Sequence, residues 1–185
     1  MKSKNFDLEI INFIHASLQL EYYSLNKNHL EVWEDTSQSK KFYTLKYQQN
    51  KIKELLDLIN NKESMHFILL NKSNSKMIGA CDYTKIKNKK CWLGYSISKN
   101  LEGNNLMYEA LILTNSYVNN NLGVKEIRAG ILPNNERSIK LIKRLHFEYI
   151  GQKDELEING EMITYDTHIQ KMIKKSNIYI KKKEE

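Results

Sequence analysis

A mixed α/β domain built around one sheet is the fold this chain predicts, and three observations carry the expectation. The hydrophobic period changes near residue 64, from helical spacing before it to short apolar runs after it. Beyond residue 99 strand-like and helix-like runs alternate, which wraps helices onto a sheet. Near the end, Asn159-Gly160 separates two β-rich runs, and that pair favours a two-residue type I′ hairpin turn.

Taken in order, the first sixty residues read mainly as helices. "IINFIHASLQLEYYSL" has apolar side chains at mixed helical spacing, and "HLEVWE" and "QQNKIKELLDLIN" read as further helical pieces. "MHFILLN" and "KMIGACDYTKI" are apolar runs parted by the turn-forming "KSNS", and "CWLGYSIS" follows the polar "KNKK". Together they predict a three-stranded antiparallel meander. A helix is expected from about Leu106 to Asn120, with Met107, Ala110, Leu111, Thr114, Tyr117 and Val118 on one stripe. "VKEIRAGIL" reads as a strand and "PNNERSIKLIKRLHF" as a second helix, capped by Asn134 or Asn135 and burying Ile139, Ile142 and Leu145. "DELEINGEMITYDTHI" closes the domain as a hairpin. The predicted order is helices, then β-β-β-α-β-α-β-β.

Composition bounds the function. Of 185 residues 41% are apolar and 28% charged, as in a soluble globular domain, and no apolar run is long enough to cross a bilayer. "MKSKNFDLEI" lacks the apolar core of a signal peptide, so a cytoplasmic protein is expected. Cys81 and Cys91 fit neither a CxxC motif nor a disulfide framework, and five scattered histidines give no metal-site spacing. The net charge is +7, but residues 171–185 hold six lysines against two glutamates and so carry much of it. One domain over residues 1–170 with a lysine-rich tail at 171–185 is therefore expected, and the absence of aromatic–basic interleaving argues against single-stranded nucleic acid as a partner.

"SKNLEGNNLMYEAL" joins the third predicted strand to the helix after it. Such a junction suits phosphate, because unpaired N–H groups and the helix dipole converge there. Gly103 is its one glycine, and Glu102 stands beside it. An ordinary strand–helix connection is the alternative reading.

Three stretches together resemble the GNAT superfamily of acyl-CoA-dependent N-acyltransferases, and within it the ribosomal-protein N-terminal acetyltransferases of the Rim type. They are "IGACDYTKI" leading through "CWLGYSISKNLEGNNLMYEAL", then "ILPNNERSIKLIKRLHFEYIG", and the early "NKNHLEVWE". The resemblance runs from about residue 6 to 170. It implies transfer of an acetyl group from acetyl-CoA to a primary amine: a protein N-terminus, a ribosomal protein's among them, or a small amine such as a polyamine, amino sugar or antibiotic. A domain of this fold that has lost catalysis and binds a partner is the reading from another class.

The resemblance also implies the site. Backbone groups of Tyr95, Ser96, Ile97 and Ser98 should face the pantetheine arm along a splayed strand, with an N–H of Tyr95 or Ser96 polarising the thioester oxygen. The family's Q/R-x-x-G-x-G/A loop falls on Asn100 to Asn105, so Gly103, Asn104, Asn105 and Leu106 should cradle the pyrophosphate. Here Gly103 alone matches the pattern, Asn105 adds bulk, and Glu102 adds negative charge. Asn135 matches the asparagine that holds the cofactor. Ser138 matches the residue beside the CoA sulfur and is the candidate general acid, against the alternative of a serine bonded within its own helix. The base is left among Glu155, Glu157 and Asp82, against plain surface charge for each. Tyr83 and Tyr165 are further acid or substrate-wall candidates, and Trp33 and His29 lie in the region that forms one side of the acceptor groove. His146 stands where the family has a helix-ending glycine and is expected to take over that left-handed position.

Overall fold

The computed structural model describes residues 3–33, 40–158 and 161–172, without the side chains of 152–158, 161 and 163. Seven strands form one sheet in the order β1-β2-β3-β4-β5-β7-β6. β1 (Phe6–Ile10), β2 (Met65–Asn71), β3 (Met77–Lys87) and β4 (Lys90–Ile97) pair antiparallel, β5 (Glu126–Ile131) lies parallel to β4, and β6 (Glu148–Ile158) and β7 (Glu161–Lys171) form a hairpin on β5. Five α-helices are described: α1 (Ala16–Leu25), α2 (Lys27–Leu30), α3 (Leu45–Asn60), α4 (Leu106–Leu122) and α5 (Glu136–Arg144).

The mixed α/β expectation holds, with one correction at the start. Residues 6–10 are a strand, not part of a helical segment. In "FDLEI" Phe6 and Leu8 are buried while Glu9 and Ile10 are exposed. That two-residue alternation belongs to a strand with one covered face, and β2 supplies the ladder from Phe6↔Asn71 to Ile10↔Phe67. "HLEVWE" also contracts, because α2 ends at Leu30. The β6–β7 register closes at Ile158↔Glu161, as a two-residue connection requires; Asn159 and Gly160 themselves lie outside the described residues, as does the tail from residue 173.

The sheet has a helix layer on each face. On one, α4 and α5 bury Met107, Ala110, Leu111, Val118 and Ile142 against Phe67, Cys81, Tyr83, Leu93 and Ile127. Of the predicted stripe of α4, Met107, Ala110, Leu111, Thr114 and Val118 are buried and Tyr117 is half-buried, while Asn115 joins the buried face. On the other, α1, α2 and α3 bury Tyr22, Leu30 and Ile52 over Ile68, Leu70 and Ala80. Cys81 and Cys91 are buried free thiols, and burial raises both, Cys91 to about 12, so neither is a nucleophile at neutral pH. His146 has φ 62°, the left-handed conformation expected at the end of α5. Among the described residues no helix is long and apolar enough to cross a membrane.

Candidate active site in the splayed sheet

The parallel β4–β5 ladder is short. It pairs Lys90↔Glu126, Cys91↔Ile127 and Trp92↔Arg128, and beyond Trp92 the two strands part. On its other edge β4 stays bonded to β3 as far as Gly79↔Ile97. The Ser98 N–H is donated to the Ile78 C=O at 2.8 Å. Antiparallel strands alternate bonded and non-bonded positions, so Ser96 and Ser98 turn their backbone to β3, and Tyr95 and Ile97 turn theirs into the gap. This narrows the expected stretch of Tyr95 to Ser98 to two residues. A gap lined by unpaired strand amides fits an extended, amide-bearing arm, which adds to it as another strand would.

Ser96 and Ser98 serve by their side chains. Tyr22 of α1 donates to Ser96 Oγ at 3.0 Å, Asn26 Nδ2 to Ser98 Oγ at 3.3 Å, and the Lys99 N–H to Asn26 Oδ1 at 3.2 Å. These bonds hang the α1–α2 pair on the splayed strand. Tyr22 and Asn26 escape a sequence reading because nothing in their spacing marks them; only the fold brings residues seventy positions apart together.

Beyond β4 the chain makes a 3₁₀ turn over Lys99–Leu101 and enters α4 through Gly103 (φ 79°) and Asn105 (φ 59°). Both are left-handed, which glycine and asparagine tolerate best. Glu102 does not meet an anion unaccompanied: Arg137 hydrogen-bonds its carboxylate and His29 Nε2 lies 3.5 Å away. Arg144 donates to Asn105 Oδ1 at 3.0 Å and stacks 4.3 Å from the Tyr108 ring centroid. Arg137 and Arg144 are seven residues apart, two turns along α5, and so present one face to the loop. Cationic help arrives from another helix where the loop has a single glycine. Asn104 Nδ2 is turned back on the Leu101 C=O at 3.3 Å, and Leu106 opens α4, half-buried at the core's edge.

α5 also carries the proton-bearing groups. Asn135 is its N-cap, its Oδ1 accepting the Ser138 N–H at 3.1 Å. Ser138 Oγ meets the Tyr95 hydroxyl, so it is not a serine bonded within its own helix. Burial pushes Tyr95 up to about 12, outweighing the opposing hydrogen bond from Ser138; the phenol therefore keeps its proton at neutral pH.

The opposite face of the splay is open. Gly94 faces away from α4, and a Cβ built there would meet nothing within 4 Å. Trp92 and Tyr165 of β7 stack edge to face, ring centroids 6.3 Å apart, and Gly130 makes room, since a Cβ there would fall 2.5 Å from the Tyr165 ring. Asp82 lies on this face directly across from Gly94, its Oδ1 2.8 Å from His66 Nδ1. Glu155 and Glu157 sit on the edge strand β6, opposite Thr164 and Met162, and their side chains lie outside the described residues. Tyr83 is withdrawn altogether: its hydroxyl lies in the core, 2.7 Å from Thr114 Oγ1 and 2.5 Å from Asn115 Oδ1. Trp33 stands in the turn after α2. No cluster of three or more metal-ligating side chains occurs among the described residues.

A sheet parted between two parallel strands, an anion-ready loop at one mouth and an open face at the other defines an acyl-CoA-dependent transferase. Residues 19–148 match the acetyltransferase (GNAT) domain model, and the chain belongs to that family. It is an N-acetyltransferase with acetyl-CoA as its donor. It is similar to the [ribosomal protein uS5]-alanine N-acetyltransferase of Escherichia coli (strain K12), 29% identical over 84% of this chain and 83% of that one. The same fold occurs in the ribosomal-protein-S5-alanine acetyltransferase of Vibrio fischeri, with a TM-score of 0.87, 24% identity and coverage of 92% of this chain and 95% of that one. It occurs again in Mycobacterium smegmatis RimJ in complex with CoA-disulfide, with a TM-score of 0.82, 16% identity and coverage of 89% and 80%.

Proposed function

We propose that the protein acetylates the N-terminal α-amine of a protein chain in the cytoplasm, a ribosomal protein being the acceptor class. The observation that carries this reading is the space over Gly94, where a Cβ would meet no described atom within 4 Å, beside the stacked Trp92 and Tyr165, in a chain whose similarity to an enzyme acting on ribosomal protein uS5 spans most of both sequences.

The residues divide the work as follows. Gly103, Asn104, Asn105 and the start of α4 at Leu106 receive the pyrophosphate, with Arg144 beside Asn105 as the cation and Arg137 offsetting the charge of Glu102. Asn135 fixes the first turn of α5 and so the height of Ser138. The pantetheine amides pair with Tyr95 and Ile97, and the Tyr95 N–H stabilises the oxygen of the thioester as the amine adds. When the C–S bond breaks, the thiolate takes a proton from Ser138, which is reprotonated from solvent through the Tyr95 hydroxyl. The acceptor ammonium loses its proton on the opposite face, where Asp82 lies beside Gly94; Glu155 and Glu157 pair with Thr164 and Met162, out of step with Tyr165, which marks that face.

The test is mass spectrometry of short peptides incubated with acetyl-CoA and enzyme, including one that reproduces the N-terminus of ribosomal protein uS5. A gain of one acetyl group on the α-amine is expected. Preferential acetylation of spermidine or an aminoglycoside would replace the protein acceptor with a small amine.

A further inference from the structure

Behind Asp82, away from the splay, lies a cavity of about 140 Å³ under α1 and α3. His66, Gln19, Gln48, Lys51 and Tyr23 line it together with Asp82. His66 and Gln19 are each 6% exposed, yet His66 Nε2 and Gln19 Oε1 have no hydrogen-bond partner from the protein. Leaving a buried polar atom unpaired is costly, so two on one cavity mark a place built for something else.

The chemistry of the two atoms says what. The Asp82 carboxylate is an acceptor, so His66 Nδ1 carries the ring proton and donates it, leaving Nε2 of the neutral imidazole as a lone pair. Gln19 has its amide nitrogen on Gln48 Oε1 at 2.9 Å, which turns its carbonyl oxygen to the cavity. Two acceptors cannot satisfy each other, so each calls for a donor from within the cavity. The cavity has room for several waters, each of which needs about 10–15 Å³. Asp82 closes the path on the other side. Its side chain is 37% exposed, and β3 and β4 run about 4.8 Å apart, which brings the carboxylate next to the open space over Gly94.

Resting on the N-acetyltransfer reading above, we propose that His66 is the proton acceptor of the reaction, acting through water held by Gln19, with Asp82 as the residue that positions it. The acceptor ammonium, beside Asp82, gives one proton along the Asp82 carboxylate, which also lines the cavity, to this water and so to His66 Nε2. The freed lone pair attacks the thioester carbon; as the C–S bond breaks the thiolate takes a proton from Ser138, and the second proton leaves the adding nitrogen for solvent, from which Ser138 is reprotonated. The imidazolium is stabilised by Asp82 at Nδ1 and returns its proton to solvent. Asp82 and Lys51 are the charged groups lining the cavity and Tyr23 the remaining titratable one.

The experiment compares wild type, His66→Asn and Asp82→Asn on the full chain, following thiol release from acetyl-CoA across pH 5.5–9, with and without a peptide bearing a free N-terminal alanine. Asparagine at 66 keeps a donor for Asp82 in the place of Nδ1 but has no basic nitrogen. The expected result is a turnover at least 10-fold lower in His66→Asn with an unchanged KM for acetyl-CoA, and loss of the acidic limb of the profile. In Asp82→Asn the plateau falls. Slow hydrolysis, in which water takes the amine's place, should rank the three proteins in the same order. Wild-type turnover and limb in a folded His66→Asn overturn the relay, as does a loss appearing in KM alone. Should the peptide remain unacetylated while hydrolysis still falls in both variants, the acceptor assignment fails and the relay stands.

Discussion

Ser138 and Tyr95 form the contact on which a mechanistic reading turns. They lie 43 positions apart, on a helix and on a strand, and each is unremarkable in sequence. If they form one proton path, replacing either breaks it. Ser138→Ala and Tyr95→Phe should each lower turnover by about 10- to 100-fold, while the Kd for acetyl-CoA from calorimetry stays within a few-fold. The double variant should be little worse than either single one, because residues acting as a unit are not additive. Multiplying losses would assign them separate tasks. Glu102 teaches the complementary lesson. Read alone it is an anion beside an anion site; in the fold it is paired with Arg137 and His29 and organises the loop.

At the scale of elements, the splay depends on what holds its closed end. Glu126 of β5 sits between Arg128, at 2.8 Å, and Lys90 of β4, at 3.5 Å. Burial alone would raise this carboxyl, but the hydrogen bond and charge of Arg128, with Lys90 adding, hold it below its ordinary value of 4.5. A carboxyl lowered by folding contributes stability that is present above 4.5 and is lost as pH falls through its folded value. Denaturant unfolding at pH 7 should therefore find Glu126→Gln less stable by about 1 kcal/mol, and the difference should shrink by pH 3. A constant difference across that range would mean that packing, not charge, closes the strands.

For the whole molecule, two helix layers clamp a sheet that is deliberately incomplete at one seam, and the ligand supplies the missing strand contacts. Binding should therefore register as global stabilisation. Acetyl-CoA at a hundred times its Kd adds about 2.7 kcal/mol, which for a domain of this size raises Tm by about 5–10 °C. Thermal melts with and without ligand, at moderate salt so that the lysine-rich end does not mimic affinity, measure it directly. No shift in a folded protein would show that a loop with one glycine needs more than two arginines to hold a pyrophosphate.

Much of this was legible in the chain itself. The change of period near residue 64 set the fold class, the stripe from Met107 to Val118 oriented α4, and Asn135 and His146 marked the ends of α5, because caps, turns and periodicities are properties of neighbouring residues. β1 was readable in principle, since Phe6 and Leu8 alternate with polar residues, but five residues are too few to outweigh the helical run after them until β2 lies alongside. The tertiary structure alone decided which backbone groups face the gap, because register with β3 chooses Tyr95 and Ile97 over Ser96 and Ser98. It alone joined Arg137 to Glu102, Ser138 to Tyr95 and His66 to Asp82. Local order is written in spacing along the chain. The chemistry of a site depends on distances between strands and helices, which come into being only when the sheet is assembled.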